Sequence, residues 1–169
     1  HTAPLAQLKS KDGTFFVTGN HEYYSGAERW LAEVRRLGMH TLENERVSLE
    51  RNGATIDLAG VNDYRASRFG ARSDIQAALK GRNPKDELIL LAHQPAHIHE
   101  AQRAGVGLQI SGHTHGGQFW PWNLVVYLAQ PVVRGLARFG ETLIYVSTGT
   151  GYWGPPIRNG SKPEITVLT

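Results

Sequence analysis

Four histidines and one asparagine are the side chains of this sequence best placed to do chemistry together. His113 and His115 stand two residues apart in Gly112-His113-Thr114-His115-Gly116-Gly117. In an extended segment residues i and i+2 point the same way, so both imidazoles can face one site. The flanking glycines allow close approach of the backbone. Metal binding is one reading of this spacing; a pair of surface histidines in a glycine loop is the other. Asn20-His21 is a second polar cluster. The amide oxygen of Asn20 is a neutral metal ligand and His21 can act as a general acid, or the pair is an Asx turn capping the helix that follows. His93, at the end of an apolar run, is either a third ligand or a satisfied core histidine.

Competing metal arrangements fail. His21-Glu22-Tyr23-Tyr24-Ser25 lacks the second histidine of a zinc-protease helix. His93 and His97 are four apart, but Pro95 lies between them and breaks a shared helix. His113-Thr114-His115 is not followed by the Asp-His of β-lactamase-like metallohydrolases. His97 and His99 would diverge on a helix and are expected to face solvent. With no cysteine, thiolate sites and disulfides are excluded, and a transition metal must rely on His, Asn or carboxylate.

The elements around these residues follow from pattern. Leu5 and Leu8 read as a helix end. Thr14 to Thr18 reads as a short buried strand before the loop Gly19-Asn20-His21-Glu22. From Ser25 to Leu37, residues Ala27, Trp30, Leu31, Val34 and Leu37 share one helix face, and Gly38 stops it. Arg46 to Arg51 and Ala54 to Asn62 form a hairpin about Asn52-Gly53. Short helices are expected at Asp74 to Leu79 and His97 to Ala104. Strands are expected at Leu88 to Ala92 (covered on both faces), Leu108 to Ser111, Leu143 to Ser147 and Ile165 to Leu168. Three polar loops thus follow three apolar strands, and in layered α/β folds sites gather at such strand ends.

The 169 residues suit a single domain, 1–169, with a real core. The net charge of +3 is spread along the chain, so it carries no nucleic-acid signature and mildly favours an anionic substrate or surface. No signal peptide is visible, no apolar run approaches the ~20 residues of a spanning helix, and the chain itself reads as soluble. It opens at His1-Thr2-Ala3-Pro4 without an initiator Met, as a processed product or fragment would. The stretch from Phe119 to Phe139 is unusually apolar and combines Trp120 and Trp122 with Arg134 and Arg138. Such a mixture fits a membrane interface or a lipid-like substrate; the expected reading is a loop whose aromatics pack on the core.

GNHE at 19–22, the strand-end His93 and GHTH at 112–115 follow the order of the late motifs of calcineurin-like metallophosphoesterases, and the sequence resembles that family over nearly its whole length. The tail YVSTGTGYWGPPIRNGSKPEITVL resembles a bacterial subgroup with amino-terminal membrane segments or export signals. The resemblance implies a layered α/β (α+β) fold of two mixed sheets flanked by helices, here incomplete at its amino terminus. It implies two divalent metal ions (Mn, Fe, Zn or Ni), one bound by Asn20, His93 and His113 and the other by His115. It places His21 near the scissile phosphate, where it protonates the leaving oxygen or stabilises the transition state. The metals would activate water and offset phosphoryl charge in the hydrolysis of phosphomonoesters or phosphodiesters.

The sequence departs from the family pattern in one respect: it contains no Asp-x-His and no Gly-Asp. The remaining candidates are neutral, three for one metal and one for the other. The isolated chain is therefore expected to bind metal weakly and catalyse poorly, and missing central strands would leave edges open to self-association. Asn62-Asp63, after a strand, is a candidate second polar loop in which Asp63 either touches substrate or makes a turn, the turn being the expected role. Two further readings are a non-catalytic metal-binding module and a membrane-surface module built around Trp120 and Trp122. The parent is expected to be membrane-associated, with a phosphate ester, lipid-linked ones included, as substrate.

Overall fold

A computed structural model of the protein describes residues 2–169. After a 3-10 turn at Ala3–Gln7 come β1 (Phe15–Phe16), α1 (Asn20–Ser25), α2 (Ala27–Arg36) and β2 (His40–Thr41). The hairpin β3 (Glu45–Arg51) and β4 (Ala54–Gly60) leads to α3 (Ile75–Ala78), β5 (Glu87–Leu91), α4 (Ile98–Arg103) and β6 (Leu108–Ser111). The chain continues through α5 (Trp122–Ala129), β7 (Gly135–Phe139) and β8 (Thr142–Val146).

Six strands form one mixed sheet in the order β3-β4-β5-β6-β8-β7. The inner four are mutually parallel, while β3 and β7 run antiparallel at the two edges. β1 and β2 form a separate two-stranded parallel ladder. This is a mixed α/β architecture with helices against the sheets. The parallel order has a direct consequence for function: β4, β5 and β6 all end at the same sheet margin, so Asn62-Asp63, His93 and Gly112-His113 leave it side by side.

Packing follows the alternation of side chains. On β5, Leu88 and Leu90 are buried whereas Ile89 and Leu91 are half-buried, so one face is fully covered and the other only partly. The covered face packs with Ile75 and Ala78 of α3, Ala101 of α4 and Val106. A second cluster joins Ile98 of α4 to Ile144 and Val146 of β8. Leu31 and Val34 are the inward residues of α2, as its period predicts.

Several elements differ from the sequence reading. The helix expected from Ser25 to Leu37 is α2, which begins at Ala27 because Gly26 takes φ +95°, a left-handed angle that separates it from an additional short helix, α1. Asn20-His21 accordingly lies in the first turn of a helix, not in a loop. The buried strand at Thr14 to Thr18 shrinks to the two half-buried residues of β1, which have only β2 to pair with. The Asn52-Gly53 hairpin is as expected, both residues having positive φ. Ile165 to Leu168 forms no strand: the tail is held at Glu164, whose N–H donates to Gly149 O at 2.9 Å, and beyond it Ile165 and Val167 project into solvent. His97 is fully buried rather than solvent-facing, its Nε2 lying 2.8 Å from Ser73 Oγ, while His99 is exposed. The Phe119–Phe139 stretch is not a loop: it contains α5, which has no buried residue, and β7, and its later part packs on the core through Val132, Val133, Ala137 and Phe139.

Asp57, fully buried on β4, ties the hairpin to the turn that feeds β5. It accepts from Ser48 Oγ at 2.7 Å, Arg46 Nη1 at 2.9 Å and Arg82 Nε at 3.4 Å. Burial pushes its pKa up, but the donors from Ser48 and Arg46 prevail and hold the carboxyl below its usual range. Arg82 Nη2 also donates to Asp86 O at 2.5 Å, just before β5 begins. Removing the shared anion leaves two guanidinium groups in a poorly solvated place. Asp57→Ala is expected to lower stability by about 3 kcal/mol in urea unfolding; a loss below about 1 kcal/mol would show that the network does not brace the hairpin.

Candidate metal centre

Three side chains from three separate segments converge at the sheet margin. Asn20 Oδ1 lies 3.1 Å from His93 Nε2 and 3.2 Å from His113 Nδ1, and the two ring nitrogens are 3.2 Å apart. Their rings meet nearly edge to face, with centroids 5.0 Å apart at 72°.

Each partner is held there locally. Asn20 is the first residue of α1, and the Gly19 N–H donates to Glu22 Oε2 at 2.6 Å, which fixes the start of the helix. Gly19 has a second duty. A Cβ there would come 2.8 Å from His93 Nε2 and 2.9 Å from Cδ2 and Cε1, so the imidazole lies directly against the backbone. His93 and His113 share a strand-end junction: Gly112 N donates to His93 O at 3.0 Å, and Ser111 Oγ donates to Ala92 O at 2.6 Å.

The Gly112–Gly117 loop is not extended, contrary to the i, i+2 reading. His113 and His115 have φ of +70° and +50°, while Thr114 between them is right-handed helical. Left-handed backbone at two non-glycine residues is costly and survives where the surroundings enforce it. Here Thr114, buried, donates through Oγ1 to Val133 O at 2.6 Å and accepts from Gly116 N at 3.3 Å. Ser161 Oγ donates to His115 O at 2.5 Å. As a result the two histidines separate. His113 joins Asn20 and His93, whereas His115 faces the same cavity from another side, with Nδ1 3.4 Å from Gly151 O and 3.2 Å from Arg158 Nη2. His21, exposed, lines the cavity from α1.

The donor set can be tested against a metal ion. Burial pushes His93 down to about 3, with repulsion from His113 adding to it. Burial also pushes His113 down to about 4, with Asp63 pulling it up and Arg65 pushing it down. Both rings are therefore neutral at pH 7. Two neutral imidazole nitrogens and an amide oxygen then face one another at hydrogen-bonding distance, and without a metal the ring N–H groups can donate to Asn20 Oδ1. With those protons on the opposite ring nitrogens, the same three lone pairs can take one cation. Neighbouring ligand atoms around a first-row metal with bonds of about 2.0–2.2 Å are about 3.0–3.5 Å apart, which matches the spacing here. Among the described residues no group of three or more His, Asp or Glu side chains forms a metal site, so the set depends on the amide of Asn20. The three residues fit one ion; His115 lines the same cavity apart from them.

Arg65, two residues beyond the Asn62-Asp63 pair, lines the cavity, as do Val125 and Val126 of α5 and Trp153, none of which the sequence singled out. Trp122, noted in the sequence for its apolar surroundings, lines it as well. The cavity holds about 410 Å³. Asp63 does more than form a turn: fully buried, it accepts from Gln94 Nε2 at 3.0 and 2.9 Å and from Arg65 N at 2.9 Å. It is not in the triangle, yet its charge acts on His113.

The fold and the converging donors define a layered α/β domain with a metal-type site at its strand ends. Residues 2–117 match the family model for calcineurin-like phosphoesterases, and the chain belongs to that family of phosphoric ester hydrolases. It is 45% identical over 98% of its length to a bovine "Transmembrane protein with metallophosphoesterase domain", of which it covers 40%. It is 47% identical over 98% of its length to an "Uncharacterized metallophosphoesterase" of Helicobacter pylori, of which it covers 44%. The chain thus spans less than half of these relatives, which are eukaryotic as well as bacterial. The fold is also similar to that of a Thermus thermophilus sulfate thiohydrolase, SoxB, with TM-score 0.55, 16% identity and coverage of 79% of this chain and 27% of that one. Among the described residues no helix is long and apolar enough to cross a membrane.

Two predictions follow from this geometry. Because His93 and His113 titrate far below their ordinary 6.5, the unfolded chain takes up protons first as pH falls. Stability present above pH 6.5 is then lost on the way down toward the folded values. For metal-free protein, urea unfolding should show a loss on the order of 2 kcal/mol per histidine between pH 6.5 and 5; a flat profile contradicts the neutral, desolvated rings. In the second, mass spectrometry after manganese or zinc loading should find metal on the wild-type chain and about tenfold weaker retention on His113→Ala. Equal retention would place the ion elsewhere.

Proposed function

We propose that this chain forms the catalytic face of a metal-dependent phosphate-ester hydrolase. Asn20, His93 and His113 would hold one divalent ion, and His115 would contribute to a second. The observation that supports this reading best is the convergence of Asn20 Oδ1, His93 Nε2 and His113 Nδ1 within 3.1–3.2 Å of one another from three separate segments. Imidazole and amide donors suit manganese, iron, zinc or nickel better than calcium. When bound, such ions activate water and neutralise charge on a phosphoryl group.

The chain's own residues supply the rest. His21, exposed at the cavity wall, would protonate the leaving oxygen. Arg65 would orient the non-bridging phosphoryl oxygens by charge-assisted hydrogen bonds. Asp63 would set the field behind His113 without touching substrate. The three donors are all neutral and His115 stands alone for a second ion, so this chain by itself is expected to hold metal weakly and turn over slowly; additional anionic ligands would raise both. Two relatives are named as transmembrane proteins, and on that ground we assign the longer parent to a membrane.

The test is release of nitrophenol from p-nitrophenyl phosphate and bis(p-nitrophenyl) phosphate by chain loaded with manganese, iron, zinc or nickel. Slow, chelator-sensitive turnover is expected. His21→Ala should lose at least about 100-fold in kcat while retaining metal. Metal retention with no turnover for any of the four ions would instead favour a metal-binding module without catalysis.

A further inference from the structure

We propose that α5, with the loop carrying Tyr152 and Trp153, is a lipid-facing wall of the candidate catalytic cavity, and that the ester taken there is an amphiphile. Its phosphate would face the histidines and its apolar part would lie along α5. The assignment of a substrate rests on the phosphoesterase reading; the lipid-facing surface does not.

The composition of α5 is the first observation. Its sequence is WNLVVYLA, apolar but for Asn123, yet it buries no residue. A surface helix of a soluble domain normally shows solvent a polar face; α5 has none. Trp122, Val125, Val126 and Ala129, at the i, i+3, i+4, i+7 spacing of one helix face, line the cavity. On the other side Leu124 is 51% exposed and Leu128 89% exposed. One short helix therefore offers apolar surface both inward, to the cavity, and outward. At about 12 Å for eight residues it cannot span a bilayer but can lie in its interface.

The surroundings select the occupant. Tyr127 on the helix and Trp120 just before it are exposed, as is Tyr152 next to Trp153, whose ring packs against that of Trp122 with centroids 5.5 Å apart. Aromatic rings of this amphipathic kind favour the headgroup layer. No Asp or Glu occurs from residue 101 to residue 140, whereas Arg134 lies five residues beyond the end of α5 and Arg158 stands beside His115. Cations without intervening anions complement anionic headgroups. The apolar patch is also continuous with the cavity.

The test uses the full chain and two probes. In sedimentation with phosphatidylcholine vesicles, wild type should bind when phosphatidylglycerol is included and about tenfold more weakly when it is not. Leu124→Glu/Leu128→Glu, which alters no cavity-lining residue, should bind about tenfold more weakly or not at all, with unchanged circular dichroism and urea midpoint. Octyl phosphate should perturb tryptophan emission at about tenfold lower concentration than ethyl phosphate, six additional methylenes having an apolar wall to meet. Failure of the wild type to bind vesicles, or undiminished binding by the double variant, overturns the lipid-facing surface. Dimerisation of the wild type that the double variant abolishes, without vesicle binding, assigns the patch to a second copy and also overturns it. Equal effects of octyl and ethyl phosphate overturn the amphiphile assignment. Vesicle binding without hydrolysis of any ester counts against the phosphoesterase reading and leaves the surface standing.

Discussion

The meeting of three polar side chains from three separate segments is the constraint on which the rest of this structure turns. Asn20, His93 and His113 meet at hydrogen-bonding distance with their nitrogens and oxygen facing inward. Desolvation keeps both rings neutral. The nearby construction serves to maintain that meeting. Gly19 removes a side chain so that His93 can approach, the Ser111 and Gly112 bonds lock two strand ends together, and Thr114 holds a backbone that two histidines would not adopt unaided.

Parallel pairing makes the convergence possible at long range. His93 and His113 lie 20 residues apart in sequence, and adjacent parallel strands bring the loops that follow them to one margin, whereas Asn20, 73 residues before His93, arrives there on α1. Asp57 works at a distance from that margin, joining the edge hairpin to the turn that enters β5. Asp63 brings a buried negative charge held by amide and backbone donors rather than by a cation. The sequence offers no carboxylate as a metal ligand and reads Asp63 as a turn residue; in the structure Asp63 is a neighbour of the triangle, not a member of it.

The strand ends were legible because each candidate residue follows an apolar run and is flanked by glycine or proline. The hairpin was legible because Asn52-Gly53 needs two positive φ angles. What sequence could not convey was backbone conformation inside the loops. His113 and His115 look like an i, i+2 pair only if Thr114 is extended, and it is not. The Ile165–Leu168 run has the composition of a strand but no partner in the sheet, and composition cannot supply one. His97 looked like a helix-surface residue, but the 3-10 turn at Pro95 directs it inward to Ser73. α5 was obscure for a different reason: a helix apolar on every side has no periodic contrast to read, and the usual burial of tryptophan argued for the wrong environment.

The carboxy-terminal tail has a bearing on what counts as the unit of function. Gln118 accepts from Trp153 N at 2.9 Å and from Asn159 N at 2.8 Å and donates to Trp153 O at 2.7 Å. Ser161 and Arg158 hold His115 from behind. The family-matched region stops at Gly117, on the near side of all these contacts. A domain excised at that boundary would keep every candidate ligand and lose the clasp that orients one of them, so the smallest transferable module extends at least to Ser161, and homologues that diverge in the tail would retune His115 without changing a single ligand.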